Sequence, residues 1–223
     1  MRLPDFFKNN NRLFFRWILI SLLVAFLVLS CIVLFLPLEL LDIEISEDVQ
    51  EIQTPLLSKI MIGISWLGRT YVAIVVVLST SLVALLAGYK REAVLILSTL
   101  LAGLLGLVFK ILINRPRPTE DLVVLLEETK YQSFPSGHVL FYTAFFGAFI
   151  LIILQSVKVT YKIKLLMIFL CISMIFLCAF SRIYLGAHWF TDVLGGFILG
   201  IFSVTIMGYF YIKDYKENPK RSI

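Results

Sequence analysis

AVLILSTLLAGLLGLVFKILINRPRP, residues 93–118, is an apolar run closed by a charged, proline-broken segment. From Ala93 to Ile113 the run is long enough to cross a bilayer, which takes about 20 apolar residues. Lys110 is its one charge. The helix must stop at Asn114-Arg115-Pro116-Arg117-Pro118, because proline lacks the N–H and restricts the residue before it. Five more runs of similar character flank this one: Trp17–Leu36, Tyr71–Gly88, His138–Leu154, Leu165–Tyr184 and Phe190–Ile212. The composition agrees. Of 223 residues, 60% are hydrophobic and 16% charged, with a mean hydropathy of +0.94. A soluble domain is nearer half apolar and a quarter charged and could not hide so much apolar surface. The sequence predicts an all-α integral membrane protein with six transmembrane helices. It forms one membrane domain over residues 1–223, with no room for a separate soluble unit.

The remaining stretches read as connections. Arg2, Lys8, Arg12 and Arg16 precede the first run, which is too long for a signal-peptide core and is read as a retained helix. Six acids, Glu39, Asp42, Glu44, Glu47, Asp48 and Glu51, lie between Pro37 and Pro55. They are read as a solvated outer loop, with screening of a site or binding of a partner as alternatives. Ile60–Trp66 is expected along the membrane interface, and Lys90-Arg91-Glu92 as a tight turn. The three cysteines, Cys31, Cys171 and Cys178, sit in apolar runs. Cys171 and Cys178 are about 10.5 Å apart along one helix, too far for a disulfide. They read as packing residues.

Lys and Arg set the orientation. Four lie in the N-terminal tail, two at 90–91, three at 158–164 and four in the C-terminal tail. The other side carries Lys59, Arg69, Lys110, Arg115, Arg117, Lys130 and Arg182. The positive-inside rule then places both termini in the cytoplasm. The acidic loop and the segments 114–137 and 182–190 fall outside. The net charge of +5 is explained by this topology and needs no nucleic-acid partner.

The outer segments hold the unusual chemistry. Lys110 is a charge inside an apolar helix; it could snorkel to the interface, and Arg117 and Arg182 could be interfacial anchors. The only two histidines, His138 and His188, are also here. Asp192 follows His188 by four residues, a spacing that stacks the pair on one helical face. A carboxylate against an imidazole fixes its tautomer and makes the other nitrogen a better nucleophile or base. Three cations beside two imidazoles suit a tetrahedral oxyanion such as phosphate. Backbone N–H groups at Ser136-Gly137, at the start of a helix, would add an anion site. Zinc on His138, His188 and Asp192 is the competing reading. Three nearby cations and the lack of a further His or Cys ligand speak against it, so no metal is assigned.

Lys110-x6-Arg117-Pro118, Pro135-Ser136-Gly137-His138 and Ser181-Arg182-x5-His188-x3-Asp192 together resemble the three motifs of the type 2 phosphatidic acid phosphatase (PAP2) superfamily. All three are complete and in order. The resemblance covers a core of about 93–212; the N-terminal helix and acidic outer loop, 17–58, match bacterial six-span members only in layout. It implies His188 as the nucleophile that forms a phosphohistidine, Asp192 as its orienting partner and His138 as general acid. Lys110, Arg117 and Arg182, with Ser136 and the Gly137 backbone, would hold phosphate. Ser181 would be a further phosphate or helix-end contact. No cofactor or metal is implied.

A phosphate pocket at the outer edge of a bundle suits a lipid-anchored substrate taken from the bilayer. The expected activity is a lipid phosphatase of the cell membrane, with its site facing outside the bacterial cytoplasmic membrane. Similarity to bacterial PgpB-like and BcrC-like members favours undecaprenyl pyrophosphate or phosphatidylglycerophosphate; phosphatidic acid and diacylglycerol pyrophosphate are further candidates. No obligatory protein partner is indicated. Two other classes stay open: a phosphotransferase that passes the phosphoryl group to a lipid, and a transporter or flippase that binds phosphate without turnover. No paired broken helices or inverted repeats favour the latter.

Overall fold

The computed structural model describes residues 11–36, 39–127, 129 and 131–217. Eight helices account for the described secondary structure: α1 (Asn11–Phe35), α2 (Glu39–Gln50), α3 (Pro55–Leu67), α4 (Thr70–Leu86), α5 (Lys90–Ile113), α6 (Gly137–Gln155), α7 (Tyr161–Tyr184) and α8 (Phe190–Glu217). Among these residues there is no β-strand. Five helices are long and apolar enough to span a membrane by themselves. α3 and α4 are long and apolar enough only when taken together, and they meet at a 59° bend, as a broken span or a re-entrant turn does. The protein is a multi-pass membrane protein. Arg2, Lys8, Pro37, Lys130, Lys220 and Arg221, used in the orientation count or to bound the acidic stretch, lie outside the described residues.

Five of the six expected spans fall on single long apolar helices, the Tyr71–Gly88 run falls on the shorter α4, and three connections differ. The acidic stretch is not a loop, because residues 39–50 form α2. Its exposed face carries Glu44, Glu47 and Asp48, while Asp42 is fully buried. Lys90-Arg91-Glu92 is the first turn of α5 rather than a turn between spans. The reversal sits just before it, around Gly88 at φ +88°. Ile60–Trp66 belongs to α3, which Thr54 caps by accepting from Leu57 N–H at 3.3 Å, with Pro55 at the first helical position. Met61 of α3 is buried against Tyr184 and Leu185, so this helix leans on α7 and is more than an interfacial strip.

α6 is the central helix. Val139, Leu140, Tyr142, Ala144 and Ala148 along it are almost fully buried. α8 comes close to it through small residues. A Cβ on Gly196 would lie 2.7 Å from Ser136 O, and one on Gly200 would lie 2.5 Å from Thr143 Cβ. This Gly-x3-Gly face lets the two backbones approach, the usual source of helix association in lipid. α1 closes one side with Phe26 and Leu29 against Leu140 and Leu199. α4 closes another with Ala73 and Val77 against Tyr142 and Cys178. All three cysteines are free thiols.

The packing brings the 114–136 segment and the 185–189 turn to one end of the bundle. Ser133 N–H donates to Arg115 O at 2.9 Å, Leu126 N–H to Leu185 O at 3.0 Å and Ser136 N–H to Asp192 O at 2.9 Å. The end of α2 joins them. Gln50 donates through Nε2 to Val124 O at 2.8 Å and accepts from Val124 N–H at 2.9 Å. Gln53 Nε2 donates to Tyr184 O at 3.0 Å.

Candidate active site

α5 ends as its sequence demands. Asn114 takes the left-handed conformation (φ +46°), and its N–H caps Lys110 O. Lys110 therefore sits in the last turn, next to the segment that follows α5. Its Nζ donates to Gln132 O at 2.6 Å and Ser133 O at 3.2 Å. The amino group is held by loop carbonyls and does not snorkel past them. Arg117 lies further along the same segment. Its Nε donates to Tyr131 O, its Nη1 to Ala187 O at 2.5 Å and its Nη2 to Gln132 O at 3.3 Å. Burial and then Arg182 lower its pKa to about 10, so it stays cationic at neutral pH.

His188 is placed by the end of α7. Ala187 N–H and His188 N–H both donate to Arg182 O at 3.1 Å. Gly186, at φ +68°, turns the chain so tightly that a Cβ there would meet Val124 O at 2.3 Å. The imidazole is buried, with Nδ1 3.4 Å from Asp192 Oδ2 and 3.4 Å from Ser133 Oγ. On its other side Nε2 lies 3.2 Å from Arg117 Nη1. A guanidinium can only donate. Nε2 is therefore the unprotonated nitrogen, and Nδ1 carries the hydrogen towards Asp192. Burial, and then Arg117, Lys110 and Arg182, hold the His188 pKa well below its usual 6.5. α8 begins only at Phe190, so the His188–Asp192 pair forms across the helix start. Asp192 Oδ2 also accepts Trp189 N–H at 3.0 Å and the Ser133 hydroxyl. Its Oδ1 takes Arg115 Nη1 at 2.7 Å.

Arg182 is fully buried. Its Nη1 donates to Ser65 Oγ and to Glu127 Oε2, the latter at 2.7 Å. Ser65 also donates to that carboxylate oxygen, at 2.6 Å. Burial works against the Glu127 charge, but Arg182, Ser65 and Arg69 outweigh it and lower its pKa. The Arg182 Nε and Nη2 atoms have no partner within the protein. They form one edge of the guanidinium, the fork that matches two oxygens of a phosphate. Ser136 Oγ and His138 Nε2 are likewise buried and without a partner. Buried polar atoms are nearly always paired. Four such atoms belong to motif residues, which makes them candidate donors to an oxyanion.

His138, the second residue of α6, packs against the break between α3 and α4. A Cβ on Gly68 would lie 2.4 Å from His138 Cδ2. The bend thus lets backbone approach the imidazole where a side chain could not fit. It stands alone among the described residues, so it does not supply the paired broken helices of a transporter.

Two of the expected phosphate contacts differ. Ser136 N–H is already bonded to Asp192 O, so its hydroxyl is the group left facing inward. Ser181 turns its hydroxyl back to Cys178 O at 2.7 Å in the last turn of α7, the helix-end contact that was its alternative. Gly137 keeps the helix start open beside Lys110, whose Cε lies 3.7 Å from where a Cβ would be. No group of three or more His, Cys, Asp or Glu among the described residues is placed to hold a metal ion. A hollow of about 450 Å³ is lined by Asn114, Arg115, Pro116, Arg117, Thr129, Tyr131 and Gln132, of which Arg117 also contacts His188.

The PAP2 superfamily model matches residues 91–216. The chain belongs to the PAP2 superfamily. Among similar PAP2 proteins is the phosphatidylglycerophosphatase B of Bacillus subtilis, 30% identical over 91% of this chain and 96% of that one. The undecaprenyl-diphosphatase of Sulfolobus acidocaldarius is 33% identical over 85% of this chain and 87% of its own length. In three dimensions the chain is similar to the crystal structure of a transmembrane PAP2-type phosphatidylglycerolphosphate phosphatase from Bacillus subtilis. The TM-score is 0.75 at 27% identity, covering 87% of this chain and 96% of that structure. Aquifex aeolicus LpxE matches with a TM-score of 0.54 at 27% identity, over 76% and 93% of the two chains. The protein is a membrane-embedded PAP2 phosphatase.

Residues of the three motifs lie together at one end of the bundle. What sequence reasoning missed is the set of groups behind them: Asp42, Ser65, Arg115, Glu127, Ser133 and Thr191. Arg115 carried a signal, as a charge beside Arg117 at the membrane edge. Asp42 carried none, being one acid among six.

Proposed function

We propose that the protein hydrolyses a lipid phosphate or diphosphate through a phosphohistidine on His188. The observation that carries this is the His188 geometry, with Nδ1 beside Asp192 and Nε2 facing the Arg117 donor. The Nε2 lone pair attacks phosphorus. Arg117, Lys110 and the open edge of Arg182 neutralise the phosphoryl oxygens, with Ser136 Oγ and the Gly137 backbone adding contacts. The bond from phosphorus to the leaving oxygen breaks, and that oxygen takes a proton from protonated His138. A water molecule then attacks phosphorus, giving its proton to His138, and the P–N bond breaks to release inorganic phosphate. Asp192 stabilises the positive charge that the imidazole gains in the first step and loses in the second. These steps need positioning and charge neutralisation, which the cations supply, so no metal has a part.

The substrate is a lipid of the bilayer in which the helices sit. The names of the relatives point to undecaprenyl diphosphate or phosphatidylglycerophosphate. The excess of Lys and Arg in the tails and in the connections at 90–91 and 158–164 supports cytoplasmic termini and a site on the outer face of a bacterial cytoplasmic membrane.

Phosphate release tests this reading. The detergent-purified protein is offered undecaprenyl diphosphate, phosphatidylglycerophosphate and phosphatidic acid in parallel, in EDTA, with and without vanadate. Vanadate-sensitive release in EDTA is expected, and kcat/KM ranks the lipids. Release that requires a divalent metal would overturn the mechanism. Phosphate found on an added lipid acceptor would make the protein a transferase.

A further inference from the structure

The acidic helix α2 reaches the nucleophile through one arginine. Arg115 Nη1 donates to Asp192 Oδ1 at 2.7 Å, and its Nη2 donates to Asp42 Oδ2 at 2.6 Å. Thr191 closes the arrangement. Its N–H donates to Asp42 Oδ1 at 3.0 Å, its hydroxyl to Asp42 Oδ2 at 2.8 Å, and it accepts from Arg115 Nη1 at 2.6 Å. Asp42 and Asp192 are both fully buried. Asp42 lies at the start of α8, where a negative charge is favoured.

The charges show what this assembly does. Asp192 must balance the positive charge that His188 gains when its Nε2 bonds to phosphorus. Arg115 alone would cancel that carboxylate. With Asp42 included, the trio keeps one net negative charge facing His188, against the cations Lys110, Arg117 and Arg182. Arg115 holds Asp192 Oδ1 with one arm and Asp42 Oδ2 with the other, a bridge that a single-armed lysine could not span in the same way.

We propose that Asp42 and Arg115 are positioning residues for the phosphoryl transfer. Arg115 orients Asp192, and Asp42 restores the negative charge that Arg115 would otherwise remove. The inference rests on the phosphohistidine reading above.

The experiment measures kcat and KM for lipid phosphate hydrolysis in detergent for wild type, D42N, R115Q, the D42N/R115Q double variant and H188A. D42N is expected to lower kcat by roughly tenfold to hundredfold, the scale seen when a partner that orients an active-site ligand is lost. KM should stay within about threefold, because the phosphate-binding cations are untouched. Removing both charges restores one net negative charge, so D42N/R115Q should turn over at least severalfold faster than D42N. A merely structural tie between α2 and α8 would make the double variant no better than D42N. That result overturns the proposal, as does D42N with wild-type kcat. Turnover by H188A would instead remove the phosphohistidine reading, whatever Asp42 does. If D42N is not recovered folded, R115K carries the test: about a tenfold loss of kcat at unchanged KM is expected, and wild-type kcat overturns the proposal.

Discussion

Replacing Gly68 by alanine should disable proton delivery to the leaving group while leaving the nucleophile in place. Gly68 has φ −85° and ψ −3°, a conformation alanine adopts freely, so the backbone carries no penalty. The cost lies in contact. The new Cβ would stand 2.4 Å from His138 Cδ2, 2.9 Å from Cγ and 3.2 Å from Cβ. Carbon atoms settle at about 3.5–4.0 Å, so the ring or the α3–α4 bend must give by about 1 Å. A shift of that size can lower a rate about a hundredfold, and overpacking costs about 1–3 kcal/mol of stability. The assay compares kcat/KM on a lipid phosphate, whose alkoxide must be protonated as it leaves, with p-nitrophenyl phosphate, whose leaving group needs little help. G68A should lose about a hundredfold on the lipid and far less on the nitrophenyl ester. Gly63 has nothing within 4 Å of a built Cβ, and G63A is the neutral control. A G68A enzyme within threefold of wild type on the lipid, or one equally impaired on both substrates, would refute the reasoning.

Two further outcomes follow from the same geometry. R182K keeps the charge but loses the Nε–Nη2 edge. Hydrogen bonds to charged groups contribute about 1.5–3 kcal/mol, so kcat/KM should fall roughly tenfold to hundredfold, read by steady-state kinetics on any accepted substrate. The pH profile reports His188. Only the neutral imidazole attacks, and burial followed by Arg117, Lys110 and Arg182 holds its pKa well below 6.5; Asp192 and Ser133 face it from the other side. Activity should therefore show an acid limb below pH 6.5, lost as the pH falls through it, with a separate decline towards high pH as the His138 acid loses its proton. R117Q removes one of the cations that depress this pKa, so the limb should move to higher pH even though the maximum rate drops.

The spans were legible because lipid imposes one long apolar run per helix. The candidate site residues were legible because charges and histidines stand out against such runs. The sequence separated Ile60–Trp66 from the Tyr71–Gly88 run, but nothing local marked that the bend between them contacts His138, some seventy residues away. The same holds for Glu127, whose value lies in reaching Arg182 from a loop. It holds also for α2, where acidic composition concealed a helix with one buried face and Asp42 on it. Long-range pairing of this kind leaves no local pattern. The Ser136 N–H failed as a phosphate ligand for a related reason: Asp192 O, on another helix, already holds it.

The central claim is that His188 Nε2 carries the phosphoryl group. Rapid alkaline quench during turnover of a labelled lipid phosphate, followed by peptide mapping, tests it directly. A base-stable, acid-labile phosphoryl group on the peptide containing His188, absent from a folded and inactive H188A variant, is the predicted result. Label on another residue, or turnover by H188A, would contradict it.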